Sequence, residues 1–192
     1  KIQIHLQYYI FEEGELANRL LLLFERKIAQ GVCIRMVYDG IGSFSLSKSY
    51  LKKLKAIGVE VHPFLPFKFG RFLTSLNYRN HRKIIVVDGF IAFTGGINIS
   101  DKYLKGDPTL GNWHDMHLRL EGTAAGHLDY IFAMDWYLVS QMTIKPLLTS
   151  DTATFNWVDV GADEYRLLLY TGDRSGSVHD DYYFGENTYG SI

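Results

Sequence analysis

The sequence predicts an α/β fold, a mixed and largely parallel sheet flanked by helices on both faces. Two observations predict it. The first 64 residues alternate strand, helix, strand, helix, strand, the pattern of right-handed βαβ crossovers. A hairpin-like pair of apolar runs follows around Asp88-Gly89 and adds antiparallel pairing.

Ile2–Phe11 is rich in β-branched and aromatic residues and reads as a buried strand. From Gly14 the spacing becomes helical, with Leu16, Leu20, Leu23 and Phe24 on one side and Gly31 as the stop. Val32–Tyr38 is a second strand, closed by Asp39-Gly40-Ile41-Gly42-Ser43. Ser47 or Ser49 caps the next helix, which Gly58 ends, and Val59–Phe64 is a third strand. Ligands of such sheets bind beyond the carboxyl ends of the strands, where Asp39 and its loop lie. Between Pro66 and Asn80 no period appears; the stretch mixes aromatic residues with Lys68, Arg71 and Arg79. It reads equally as a cationic ligand loop or as a solvated loop packed on the body. The hairpin Lys83–Thr94 comes next, then a short helix started by Ser100 or Asp101. Trp113–Leu120 alternates as a strand, and Thr123–Ser140 reads as a helix. Beyond Gln141 the pattern weakens, with NWVDV and YRLLLY as strand candidates and a Gly-, Asp- and Tyr-rich end without period.

With 192 residues and 47% hydrophobic residues the chain can build one substantial core but hardly two. The division expected is a catalytic body over 1–140 and an unassigned acidic tail over 141–192, a linker or the start of a second half. The net charge of -1 hides a body of about +5 over residues 1–150 and a tail of about -6. Without a clear basic stripe, nucleic acid is not the partner expected. Cys33, the only cysteine, rules out an internal disulfide, reads as a core residue and fits a reducing compartment. The longest apolar run, Leu20–Phe24, is far short of a membrane span. An opening inside a strand suggests a piece of something longer.

The chemistry concentrates in Asn80–Asp101. Side chains two apart on a strand share a face, so His81 and Lys83 converge while Arg82 points away. An imidazole, an ammonium and the Asn98 amide, beside the freed backbone of Gly95-Gly96, suit a phosphate that is attacked as well as held. Histidine can act as nucleophile and proton carrier near neutral pH, and lysine offers fixed charge to oxygens that become more negative. Seven histidines raise the question of zinc, but His114 and His117 fall on opposite faces of a strand, a poor arrangement for one ion, and no metal or other cofactor is expected.

His81-Arg82-Lys83, Asp88 and Gly95-Gly96-Ile97-Asn98 together resemble the HKD motif of the phospholipase D superfamily. IHLQYYIF, VYDGIGS, NHRKIIVVDG, FTGGINISDKY and WHDMHLRLEG, in this order, resemble the first catalytic half of bacterial cardiolipin synthases, over about Ile2 to Leu138. The resemblance implies a phospholipase D/nuclease-like half-domain that transfers a phosphatidyl group between phospholipids through a phosphohistidine, without metal. It implies a catalytic set of His81, Lys83, Asp88, Asn98 and Asp115, with His81, Lys83, Gly96 and Asn98 on the phosphate. Asp115 is expected to hold and aim the imidazole. Asp88 belongs to the motif, but its Asp-Gly setting argues for a turn that fixes strand register. The family builds one site from two motifs, and no second HxK is present here. A partner half in a longer chain, or a second copy across a twofold axis, is therefore implied. The substrate implied is a phosphatidylglycerol-like lipid at the bacterial cell membrane, reached through a full-length parent. Two alternatives stand beside this: a nuclease or phosphodiesterase of the same superfamily working as a homodimer, and a non-catalytic half-domain.

Overall fold

A computed structural model describes residues 2–65, 79–109, 111 and 115–146, and the backbone of three later strands. In chain order these residues form β1 (Gln3–Tyr8), α1 (Glu15–Ile28), β2 (Cys33–Asp39), α2 (Lys48–Ala56), β3 (Glu60–Phe64), β4 (Ile84–Val87) and β5 (Ile91–Gly95). There follow the short α3 (Lys102–Lys105), β6 (His117–Gly122), α4 (Thr123–Ser140), β7 (Ala153–Val158), β8 (Glu164–Tyr170) and β9 (Val178–Gly185). The expected cationic loop at Lys68 and Arg71, and the expected His114, lie outside the described residues.

One sheet carries the strands in the order β3-β2-β1-β4-β5-β6-β7. It is mixed: β1, β2 and β3 run parallel, joined by α1 and α2, while the ladders from β1·β4 to β6·β7 are antiparallel. The parallel part is therefore the βαβαβ stretch, and the hairpin and its neighbours supply the antiparallel part. β7, read from the tail, hydrogen-bonds to β6 and forms the edge. β8 and β9 make a separate hairpin, and β9 falls in the stretch whose sequence shows no period.

Strand alternation divides the core. Leu6, Tyr8, Ile34 and Met36 face α1 and α2, meeting Ala17, Phe24, Tyr50 and Leu54. His5, Gln7 and Val37 face the opposite way, onto α4. There His5 Nδ1 lies 2.5 Å from the buried carboxylate of Asp129, its ring stacks on Phe132 at 4.6 Å, and Val37 packs with Phe132 and Trp136. Ile84, Val86 and Leu120 extend this second layer against Ala125 and Leu128. α4 is apolar on its outer side as well, with Tyr130, Met134, Tyr137 and Leu138 exposed. No helix among the described residues is long and apolar enough to cross a membrane.

Helix ends show how distant segments fix the frame. Ser47 caps α2, its Oγ accepting from Tyr50 N at 3.1 Å. α1 starts at Gly14, which has no side chain for capping. Asp101 supplies it from across the fold, accepting from Glu15 N at 2.8 Å and Leu16 N at 2.9 Å, and those two donors hold its carboxyl below the usual range.

Candidate active site

The segment before β4 is extended, and its side chains alternate as the sequence requires. Lys83 turns toward His81, its Nζ 2.9 Å from Nδ1 and 3.3 Å from Nε2 and also donating to the His81 carbonyl at 2.8 Å. Arg82 turns to the other side and donates to Asp135 Oδ2 at 2.6 Å. Asp135, on α4, also accepts from Gln7 Nε2 at 2.5 Å and Asn80 Nδ2 at 2.9 Å. Asp39, at the end of β2, accepts from Ile41 N and Gly42 N with Oδ1 and from Asn80 N with Oδ2 at 3.1 Å. Asn80 is thus gripped through its backbone by one buried carboxylate and through its side chain by another, and this fixes where His81 begins.

His81 and Lys83 open onto a cavity of about 490 Å³ also lined by Ile10, Glu12, Gly96, Asn98, Ser100 and Asp115. Asn98 is buried; its Oδ1 accepts from Ile10 N at 3.1 Å and its Nδ2 donates to the Tyr103 hydroxyl at 3.0 Å, leaving one amide hydrogen for a ligand. The Tyr9 ring lies 4.4 Å from the imidazole and 5.3 Å from Lys83 Nζ. Tyr9 is held by the VYDGIGS loop: Ser43 Oγ donates to Tyr9 O at 3.0 Å, and a side chain at Gly42 would overlap the Tyr9 backbone and ring.

The electrostatics favour a neutral imidazole. Partial burial lowers the His81 pKa, the Lys83 ammonium lowers it further, and the Asp39 carboxylate opposes them. Burial also lowers the Lys83 pKa, against the pull of Asp115. His117, buried behind the Gly95-Gly96 bend, is lowered by burial and partly restored by Asp115.

Of the residues singled out in the sequence, the structure brings His81, Lys83, Gly96, Asn98 and Asp115 to one cavity. Three details sharpen these expectations. Asp88 stands at the opposite end of β4 with φ 55°, and its Oδ1 accepts from Ile2 N at 2.5 Å and Gln3 N at 2.9 Å. It ties the hairpin turn to the start of β1, because a four-residue strand separates it from the cavity. The Gly96 N–H is already given to Met116 O at 2.9 Å, so Gly96 contributes room rather than a donor: a Cβ there would overlap the Asp115 carboxylate. The Asp115 carboxylate raises the proton affinity of Lys83 and of His117, and the Asp39 carboxylate raises that of His81. Tyr9, Asn80 and Asp135 are site-building residues the sequence reading missed. Among the described residues no group of three His, Cys, Asp or Glu side chains is placed to hold a metal ion.

Comparison with known proteins identifies the family. Residues 1–136 match the family model described as cardiolipin synthase, PLD-like domain. The chain belongs to that family. It is 44% identical over 152 residues to a cardiolipin synthase of Halalkalibacterium halodurans, covering 79% of this chain and 30% of that protein. It is 38% identical over 180 residues to a probable cardiolipin synthase of Bacillus subtilis, covering 94% of this chain and 35% of that protein. The chain thus spans about a third of the length of these relatives. Among solved structures, NucT from Helicobacter pylori superposes with a TM-score of 0.54 at 16% identity, over 72% of this chain and 81% of that one. Nuc from Salmonella typhimurium, a phospholipase D family member, gives 0.50 at 15%, over 72% and 80%. At such identities these two show a shared fold. The shared architecture is the phospholipase D-like α/β sheet.

Proposed function

We propose that this chain forms one half of the active site of a cardiolipin synthase-type phosphatidyltransferase, with His81 as nucleophile or proton donor. The observation that carries the proposal is the Lys83 ammonium 2.9 Å from His81 Nδ1, in a cavity that also presents Asn98. The family match supports a phospholipid phosphodiester as the substrate.

As nucleophile, a neutral His81 nitrogen attacks phosphorus; the N–P bond forms as the bond to the leaving glycerol oxygen breaks, and that oxygen takes a proton from an acid. In the second step an acceptor hydroxyl attacks, its proton passes to the same group now acting as base, and the N–P electron pair returns to the imidazole. Lys83 and Asn98 hold the non-bridging oxygens in both steps, and partial burial together with the cation beside the ring favours the unprotonated imidazole. The acid and base is the histidine of a second motif, from another stretch of a longer gene product or from a second copy across a twofold axis.

The test uses the full-length gene product with phosphatidylglycerol vesicles. Release of glycerol with formation of a diphosphatidyl lipid is expected, and His81→Asn is expected to reduce it by about a thousandfold or more. Turnover unchanged by His81→Asn, or cleavage of nucleic acid alone, overturns the proposal.

A further inference from the structure

The cavity extends past the phosphate grip along a wall that the proposed chemistry leaves unused. That wall is a two-chain ladder. Phe11 bridges Ile99, Glu12 N donates to Ile99 O at 2.8 Å, and Ile99 N donates to Ile10 O at 3.2 Å. Phe11 and Ile99 point into the core, so their neighbours on either side, Ile10 and Glu12 on one chain and Asn98 and Ser100 on the other, face the cavity. Ser100, itself buried, donates through Oγ to Glu12 Oε2 at 2.6 Å, and Lys102 N approaches the same Oγ at 3.4 Å. Lys102 is exposed and lines the rim.

The order along the wall is therefore an amide at the phosphate, then a carboxylate with a hydroxyl, then a cation at the mouth. Two residues of extended chain rise about 6.7 Å, the scale of a glycerol unit between two phosphodiesters. A carboxylate has about four lone-pair sites, more than one serine hydroxyl uses, so Glu12 can accept further hydroxyl hydrogens. Lys102 can meet a phosphodiester as a mobile point charge.

We propose that this wall is the acceptor subsite: Glu12, set by Ser100, takes the hydroxyls of a glycerol headgroup, and Lys102 takes the phosphodiester on the acceptor lipid's far side. The inference rests on the transferase reading above and adds which residues of this half select the acceptor. Acceptor and donor would then lie end to end, the acceptor's free primary hydroxyl pointing toward the phosphorus held by Lys83 and Asn98.

The full-length gene product is tested with phosphatidylglycerol as donor and three acceptors: ethanol, isotopically labelled soluble glycerol, whose transfer is read as label entering the lipid, and phosphatidylglycerol itself. Glu12→Gln is expected to lower the ratio of glycerol to ethanol transfer by about tenfold, the loss of a charged acceptor for a hydroxyl. Lys102→Ala is expected to leave that ratio alone and lower the ratio of phosphatidylglycerol to glycerol transfer, with Lys102→Arg restoring it. A structural role would slow all three acceptors together and leave both ratios unchanged; that result overturns the inference while the transferase reading stands. No transfer to any acceptor by the unsubstituted protein overturns both readings. Because Lys102 is exposed, its variant carries the test even where Glu12→Gln fails to fold.

Discussion

Gly96 lies so close to Asp115 that a methyl group on its α-carbon would overlap the carboxylate. Its neighbour Gly95 faces a different obstacle, since a methyl there would overlap the carbonyl oxygen of Met116 and crowd the His117 backbone. A carboxylate at the end of a side chain can swing aside; backbone in the β5–β6 ladder cannot.

The two glycines should therefore separate activity from stability. Gly96→Ala is expected to keep the fold within about 1 kcal/mol while turnover falls at least about tenfold, because Asp115 is pushed from beside Lys83. Gly95→Ala is expected to cost about 1–3 kcal/mol. Urea denaturation and phosphatidyl transfer measured on both variants check the contrast, and equal effects in the two assays would contradict it.

A second contrast concerns the anchor beneath His81. Asp135 accepts from the buried amides of Gln7 and Asn80 and from the half-exposed Arg82. Asp135→Ala leaves two buried donors without their acceptor and is expected to cost about 2–4 kcal/mol, together with a loss of turnover as Asn80 loosens. Arg82→Ala removes only the solvent-screened partner and is expected to cost less than about 1 kcal/mol. Denaturation midpoints of the two variants decide between these roles.

The site was legible in the sequence where the chemistry is local. The two-residue spacing of His81 and Lys83 placed both on one face, and the alternation at Arg82 survived although β4 begins only at Ile84. The βαβ half of the sheet was legible for the same reason, since each element carries its own period. Partnerships set by packing were not legible. Asp135 meets Asn80 from 55 positions away, and Asp101 caps α1 from 86 positions away; neither carboxylate differs in sequence from a solvated one. Asp115 is expected at the imidazole from the need for an acceptor and from the family resemblance, whereas the Asp39 charge that raises the proton affinity of that ring comes from packing and carries no local signal. The one advance signal of Tyr9 at the site is Gly42, required because the Tyr9 backbone passes against it.

Asp88 gives a prediction that runs against motif membership. It adopts φ 55° at the hairpin turn and accepts from the backbone of Ile2 and Gln3, away from the cavity. Asp88→Ala is expected to destabilise by about 1 kcal/mol, through the lost backbone hydrogen bonds, with turnover per folded molecule unchanged. Asp88→Asn is expected to be milder, because asparagine tolerates the left-handed region and keeps an acceptor oxygen. Activity corrected for folded fraction is the measurement, and a thousandfold loss in either variant would return Asp88 to the catalytic set.

The charges around His81 make a prediction of opposite signs. Burial and then Lys83 lower the proton affinity of the ring, while Asp39 raises it. The neutral ring is the attacking form, so the acidic limb of the transfer rate is expected below the ordinary histidine value of about 6.5. For stability, the unfolded chain binds a proton that the folded ring resists, so more protons are bound unfolded and stability rises with pH across that window. This contribution is lost as pH falls from the ordinary value through the lowered value of the folded ring. Lys83→Met removes the neighbouring cation and is expected to move the His81 titration upward, toward but not beyond the ordinary value, since burial remains; turnover should fall about a hundredfold or more. Asp39→Asn keeps an oxygen for Ile41 N and Gly42 N but removes the charge together with the oxygen that accepts from Asn80 N, and is expected to move the titration further down. Following the imidazole carbon-bound protons by NMR against pH in the three proteins reads these shifts directly. Movement of both variants in the same direction would mean that the ring answers to changes in burial and not to the charges of Lys83 and Asp39.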